Sequence, residues 1–584
     1  MAHPGSPPFR RTPHPTRQQR PLPPENPMPP ISPPQPARLT RRAALALFGT
    51  TAAGLAVAHA DPRAMAGFPA GQSAPPAAQP AAQPAAQPAS SLAFTLSANP
   101  LRPLAHVPAT YTGLSYESEQ LTHPAFFSPA NHSLIALVRT LGPHGVLRIG
   151  GNTSAYTAFT RSSQASSTDA AGAGPDIGGL AKQTRPMQQP GMYPITPEAI
   201  DNLAGFLQQT GWQLLYGLNL RHGTPASAAD EAAYVAKACA GHLLALQFGN
   251  EPDLFRHDEG SATQIEADKK PLWGYDLFLQ KWQAMYQAVH ARVPNARIAG
   301  PDSAYKPEWG GRFVSDTKGL VSLVTTHYYA EGPPSDPRTT IDSLLHPGKQ
   351  LQESVFTPLE AAKIASLPYR VAEGNSCYQG GKAGVSNTFA SALWAGDFML
   401  SLAAHGCNGV NLHGGGQGFY TPIATSKTGI NTPRPDFYGM WLAGQFAGTT
   451  IVASQLLPSV ASGSSSTDAN VTAYVANIDG ALTNPAANPV AHVTPGTPGS
   501  SLVAIFNKGP HPITITLQGM PQHGSVFSLT APSLASTSGV TFGLSTPATA
   551  SPNPDAPMRL GPNSSITSGQ IQIPAFSAVL LHLV

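Results

Sequence analysis

From about residue 110 the chain alternates two hydrophobic textures. Short, nearly continuous apolar runs are followed by longer stretches whose apolar residues recur every three or four positions. The short runs cover residues 111–117, 146–149, 213–220, 244–248, 297–299, 323–328, 369–372 and 409–412. Continuous apolar runs of this length fit parallel strands buried on both faces. Between them, Thr196-Pro197-Glu198 opens a helix with a capping hydroxyl and a proline in the first turn, and Ile200, Leu203, Phe206 and Leu207 give it one apolar face. Phe278, Trp282, Met285 and Val289 mark another. Strand–helix alternation repeated eight times predicts a (β/α)8 barrel over residues 110–447. The region is longer than the ~250 residues usual for that fold, so it needs insertions. Residues 162–192 and 331–356 are the long loops.

After about residue 448 the texture changes. Short β-like runs at 470–475, 501–506, 513–517 and 578–583 are separated by Pro, Gly and Ser clusters, which predicts an all-β sandwich over 448–584. Residues 92–109 are strand-like too and are assigned to the same sandwich. The fold class is therefore α/β, a (β/α)8 barrel with a C-terminal all-β sandwich that includes an N-terminal strand.

The first 91 residues have a different character. Arg41 and Arg42 stand just before the apolar run 43–60, which ends in the small-x-small pattern Ala58-His59-Ala60. Residues 1–60 thus resemble a disordered region followed by a twin-arginine-type export signal, which implies a periplasmic or secreted protein. An uncleaved membrane anchor is the alternative, but the run contains Gly49, Thr50, Thr51, Gly54 and His59. No stable span is expected in the processed form. Residues 61–91 carry three AAQP repeats without an apolar face and read as a linker.

Charge and cysteine usage narrow the function classes. The formal net charge is +3, yet residues 1–60 hold seven arginines and one acid, so the remainder of the chain carries −3. Such a balance recruits neither nucleic acid nor an anionic membrane. Cys239, Cys377 and Cys407 form no disulfide framework and have no zinc spacing. Buried thiols are expected, with no metal and no cofactor. Oligomeric state is left open.

Chemistry in a (β/α)8 barrel sits at the C-terminal ends of the strands. Two acids follow apolar runs directly: Glu251, in Phe248-Gly249-Asn250-Glu251-Pro252-Asp253 after the fourth, and Glu373, in Val371-Ala372-Glu373-Gly374-Asn375 after the seventh. Two facing carboxylates suit glycoside hydrolysis, whereas either alone serves equally well as a salt bridge or cap. Other acids, such as Asp253, Asp302 and Glu308, read as loop residues, supporting or solvated.

Asn250-Glu251-Pro252 after strand four, with a second glutamate ending strand seven, resembles the clan of retaining (β/α)8 glycosidases. Within it the chain is most similar to glycoside hydrolase family 79, which contains β-glucuronidases and heparanases. The stretches that carry the likeness are Arg148-Ile149-Gly150-Gly151-Asn152-Thr153-Ser154, Gly249-Asn250-Glu251-Pro252-Asp253, Glu373-Gly374-Asn375-Ser376-Cys377-Tyr378-Gln379-Gly380-Gly381, Asn411-Leu412-His413-Gly414-Gly415 and Tyr420. The resemblance covers roughly residues 92–584. It implies Glu251 as acid/base, Glu373 as nucleophile and Asn250 as a ligand of the sugar 2-hydroxyl. It implies that the substrate carboxylate is met by tyrosine hydroxyls and backbone N–H groups, here Tyr378, Gly380, Gly381 and Tyr420. Lys382 could add charge or be solvated. His413 is a candidate sugar ligand, and Tyr329, ahead of Tyr328, a contact of the nucleophile. Glu117 is a further candidate for sugar hydroxyls. The implied activity is retaining exo-β-glucuronidase on β-glucuronides or uronic-acid-containing glycans, with 4-O-methyl-glucuronides included. The competing readings are an endo-acting heparanase- or hyaluronidase-like hydrolase and a non-catalytic carbohydrate-binding barrel.

Overall fold

Eight parallel strands close into a barrel in chain order: Thr112–Glu117, Val146–Gly150, Gln213–Leu218, Leu243–Phe248, Ile298–Ser303, Leu323–Glu331, Tyr369–Cys377 and Val410–Gly414. The computed structural model describes residues 92–161, 192–255, 273–346, 348–459, 469–478, 499–547 and 556–584. The export-signal and linker segments, and nearly all of the loop 162–192, lie outside the described residues. Each barrel strand coincides with one of the eight apolar runs. The largest differences are at the C-terminal ends of the fifth, sixth and seventh strands, which continue by three to five residues beyond those runs. The second long loop, 331–356, contains the short helix Ile341–Leu345.

Local chemistry places the helices. In Pro197–Thr210 the Thr196 side chain accepts from the Ala199 N–H at 3.2 Å, Pro197 sits in the first turn, and Gly211 closes the helix at φ 76°. Its Ile200, Leu203, Phe206 and Leu207 are all buried, and each contributes roughly 1.5–3 kcal/mol relative to exposure. In Tyr275–Arg292 the residues Phe278, Trp282, Met285 and Val289 are buried likewise.

Ten of the other described strands form one sheet, and Leu92–His106 lies inside it. That strand pairs antiparallel with Thr450–Pro458 and parallel with Ile513–Gln518. Strand Ser501–Asn507 is buried on both faces. Val503 and Ile505 join a separate core with Ile515, Ile573, Val526 and Ile566. These residues come from both ends of the strand order, so the sheet folds over on itself as a sandwich. On the opposite face Leu502, Ala504 and Phe506 join the core of the barrel. The helix Phe389–Ala404 lies between and is buried on nearly every side. A Cβ at Gly396 would come within 2.7 Å of the Phe506 ring, so only glycine lets helix and sheet approach this closely. Beside it Asp397 accepts from Lys508 at 2.5 Å, Thr472 at 2.6 Å and Tyr474 at 2.7 Å, so the buried charge is fully partnered. The cysteines are free and buried. Among the described residues no helix is long and apolar enough to cross a membrane.

Candidate active site

Glu251 leaves the fourth strand in a left-handed conformation, φ 47°. Gly249, at φ 85°, begins the turn, and the Glu251 N–H donates to the Asp302 carbonyl at 3.0 Å, which fixes the turn against the fifth strand. Glu373 stands within the seventh strand rather than after it, because pairing continues to Cys377. The register with the sixth strand shifts between Val371 and Glu373. Such an irregularity re-aims a side chain. One oxygen of Glu251, one of Glu373 and one nitrogen of His327 lie within 4.8 Å of one another.

Behind this pair sits Arg148, fully buried on the second strand. Its guanidinium donates to Glu373 at 2.6 Å, Asp302 at 2.6 Å, Asn250 at 2.7 Å, Ser115 at 3.2 Å and Gln247 at 3.3 Å. Strands one, two, four, five and seven thus meet on one cation. Removing a guanidinium from water costs several kcal/mol unless every donor is used, and here the donors are used. His327 adds a second bridge, with Nδ1 at 3.1 Å from Glu251 and Nε2 at 3.2 Å from Asp302.

These neighbours give the two glutamates opposite character. Burial pushes the Glu251 carboxyl above the usual carboxylate range, against the opposing hydrogen bond and charge of His327. Burial would raise Glu373 too. There, however, His413, His327, Arg148 and the Tyr329 hydroxyl outweigh it and hold the carboxyl well below that range. For His327 burial favours the neutral ring, but Asp302 and Glu373 raise it to about 10. The arrangement keeps Glu373 ionised and favours a proton on Glu251.

The cavity over the pair has a volume of about 670 Å³, within the ~300–1,000 Å³ common for small-molecule sites. Glu117, Asn250, Tyr329, Tyr378, His413 and Tyr420 line it. The Tyr329 hydroxyl donates to Glu373 at 2.8 Å, while Tyr328 stacks on Phe398, with most of its ring in the core. His413 lies 3.0 Å from Ser115 and 3.6 Å from Glu117. The Glu117 carboxylate accepts from the N–H groups of Asn152 and Thr153, so part of its role is to hold the loop after strand two.

The structure corrects the readings of Gly380, Gly381 and Lys382 and the loop positions of Asp302 and Glu308, while Asp253 is supporting as expected. Gly380 and Gly381 are buried and do not line the cavity. The Gly380 carbonyl accepts from the Phe419 and Tyr420 N–H groups, and a Cβ at Gly381 would meet the Tyr420 nitrogen at 2.7 Å. These glycines carry the Tyr420 loop instead of facing a ligand. Lys382 is spent on the carbonyls of Asp336 and Thr339. Asp302 is a fully buried strand residue bound to Arg148. Asp253 is buried and accepts from the N–H groups of Ala304, Tyr305 and Lys306. Glu308 is exposed on the helix Pro307–Asp316.

Arg148, His327 and Asp302 were not among the sequence-derived site residues. Their signal was a charged or polar side chain inside or at the end of an apolar strand. Asn152, Tyr156, Arg221, Phe255 and Tyr305 also line the cavity. Among the described residues, Glu251, His327 and Glu373 form the one set of donors close enough to hold a metal ion. The same atoms already serve the ion-pair network.

The model of the glycosyl hydrolase family 79 N-terminal domain matches residues 194–399, from before the third barrel strand through the Glu373 strand. A protein of Neurospora crassa described as a beta-glucuronidase is 27% identical over 334 residues, covering 52% of this chain and 56% of that protein. One of Aspergillus niger with the same description is 25% identical over 386 residues, covering 61% and 66%. The aligned stretches thus span between about half and two thirds of these relatives. The crystal structure of a 4-O-α-L-rhamnosyl-β-D-glucuronidase from Fusarium oxysporum superimposes with a TM-score of 0.61 at 18% identity, covering 84% of this chain and all of that one. That likeness establishes the shared fold. The family model spans both the Asn250-Glu251 and the Glu373 strands, so residues 194–399 are similar to the N-terminal domain of glycosyl hydrolase family 79.

Proposed function

We propose that this chain is a retaining exo-β-glucuronidase. The observation that carries the reading is the approach of Glu251 and Glu373 to within 4.8 Å across one cavity. Retaining glycosidases hold their carboxyls ~5–5.5 Å apart, and inverting ones ~6.5–9.5 Å apart. The descriptions of the Neurospora and Aspergillus relatives support β-glucuronides as the substrate class.

In the first step a Glu373 oxygen attacks the anomeric carbon as the glycosidic bond breaks, and Glu251 gives its proton to the leaving oxygen. A glycosyl ester and the free aglycone result. Esterification removes the negative charge from Glu373, which lowers the cost of a charge on Glu251. Glu251 then takes a proton from water, whose oxygen attacks the same carbon and restores the Glu373 carboxylate. Two inversions return the β-configuration. Tyr378 and Tyr420 are proposed to meet the sugar carboxylate, Asn250 and His413 its hydroxyls.

Exo action is favoured over an endo enzyme for a polyanion, because the described cavity wall contains a single arginine and no lysine. The test is hydrolysis of matched aryl β-glucuronide, β-glucoside and β-galactoside by wild type, Glu251→Gln and Glu373→Gln. Glucuronide preference is expected, with losses of ~10²–10⁴-fold or more in each variant. Equal turnover of the three sugars would overturn the uronate assignment, and full activity in either variant the mechanism. Export through the Arg41-Arg42 signal is a further part of the proposal. Retention of the chain in the cytoplasm of a host with a working twin-arginine pathway would count against it.

A further inference from the structure

We propose that Arg221 forms a second anion subsite, which binds a carboxylate or sulfate carried by the substrate outside the sugar that is cleaved. This rests on the glucuronidase reading and extends it to the substrate's neighbouring group.

Arg221 follows the third barrel strand and is half-buried in the cavity wall. Among the described lining residues it is the one arginine or lysine. Its guanidinium lies over the Phe255 ring at 5.0 Å and near the Tyr156 ring at 5.9 Å. Trp273 backs Phe255 at 5.1 Å, and Lys281 donates to the Arg221 carbonyl at 3.3 Å. The ring contacts hold the planar cation in place. They leave its charge unanswered, for among the described residues Arg221 has no carboxylate partner. Arg148, by contrast, has its charge matched by Asp302 and Glu373. A held but unmatched guanidinium facing a cavity suits a carboxylate or sulfate, which it can grip with two parallel N–H donors.

Position separates this charge from the groups assigned to the cleaved sugar. Tyr378 and Tyr420 belong to the loops after strands seven and eight. Arg221, Tyr156 and Phe255 belong to those after strands three, two and four. In the closed strand order strand three lies opposite strand seven, so Arg221 and Tyr378 stand on opposite sides of the barrel mouth.

Two arms locate the anion. One compares kcat/KM for an aryl β-glucuronide with that for its ring-carboxylated analogue, which places the charge on the leaving group. The other compares calorimetric binding of glucuronic acid with that of its 4-O-sulfate, which places it on the opposite side. Wild type is expected to favour the anionic member of one pair by about tenfold or more, an effect that weakens with added salt. Arg221→Gln should abolish the preference and leave the neutral member within about threefold, while Arg221→Lys keeps part of it. Charge-blind wild type in both arms overturns the proposal. So does an Arg221→Gln loss that is equal for both members of each pair. If wild type cleaves no glucuronide, the activity reading fails, yet the binding arm still decides the subsite.

Discussion

His327 reaches Glu251 Oε1 with Nδ1 at 3.1 Å. Its hydrogen bond and charge pull the Glu251 carboxyl down against the effect of burial. Its other nitrogen rests on Asp302, which holds the ring in its charged form. His327→Gln removes that charge, so Glu251 should keep its proton to higher pH. The basic limb of kcat/KM, which reports loss of the proton from the free enzyme's acid, is expected to move upward while the peak falls. A limb that stays in place or moves down would contradict this.

Arg148→Met leaves Asp302 and Glu373 buried without their shared cation. Breaking a buried pair in this way costs about 3–5 kcal/mol, to be read from urea unfolding. The Glu373 carboxyl loses one of the charges that hold it down. In whatever protein still folds, the acidic limb of kcat/KM should therefore rise.

Tyr329→Phe deletes the hydrogen bond to Glu373 and the hydroxyl contact with Tyr420, and keeps the ring. Bonds to a charged group are worth ~1.5–3 kcal/mol, so kcat/KM should fall by roughly 10–150-fold with the melting temperature nearly unchanged. A larger loss of stability than of activity would make Tyr329 a core residue.

Away from the cavity, Glu231 is buried with the Tyr216 hydroxyl at 2.7 Å, and burial raises its carboxyl to about 7. A folded-state value above the ordinary 4.5 means that the protonated form stabilises the fold. That contribution is complete below the ordinary carboxylate value and declines as pH rises through about 7. Glu231→Gln keeps an acceptor for Tyr216 and cannot ionise. It should match wild type near pH 4.5 and exceed it by about 1–3 kcal/mol at pH 8, measured by denaturant unfolding at both values.

The barrel was legible because its strands are buried on both faces, and such runs as Leu214-Leu215-Tyr216 carry no polar interruption. The two glutamates were legible because each directly follows such a run. Arg148 was in view within its motif, yet its part was not, since its partners Ser115, Asn250 and Glu373 lie 33, 102 and 225 residues away in sequence. Asp302 follows Gly300-Pro301, which reads as loop punctuation although the strand continues to Ser303. The extension of the seventh strand through Gly374-Asn375-Ser376 was hidden for the same reason. Polar residues there gain their partners only in three dimensions, as when Asn375 donates to the carbonyls of His413 and Tyr420. Two adjacent glycines looked like a ligand-facing nest, whereas Gly380 and Gly381 serve the packing of a neighbouring loop.

Because Leu92–His106 is hydrogen-bonded between two strands made more than 300 residues later, the barrel is topologically an insertion in the sheet. The strand Ser577–Leu583, paired on both sides, follows every other described strand of the sheet in the chain. The ribosome can thus present a nearly complete barrel while the edges flanking Leu92–His106 still await their partners. Cutting between residues 447 and 448 would yield two fragments with unpaired edges rather than two independent domains.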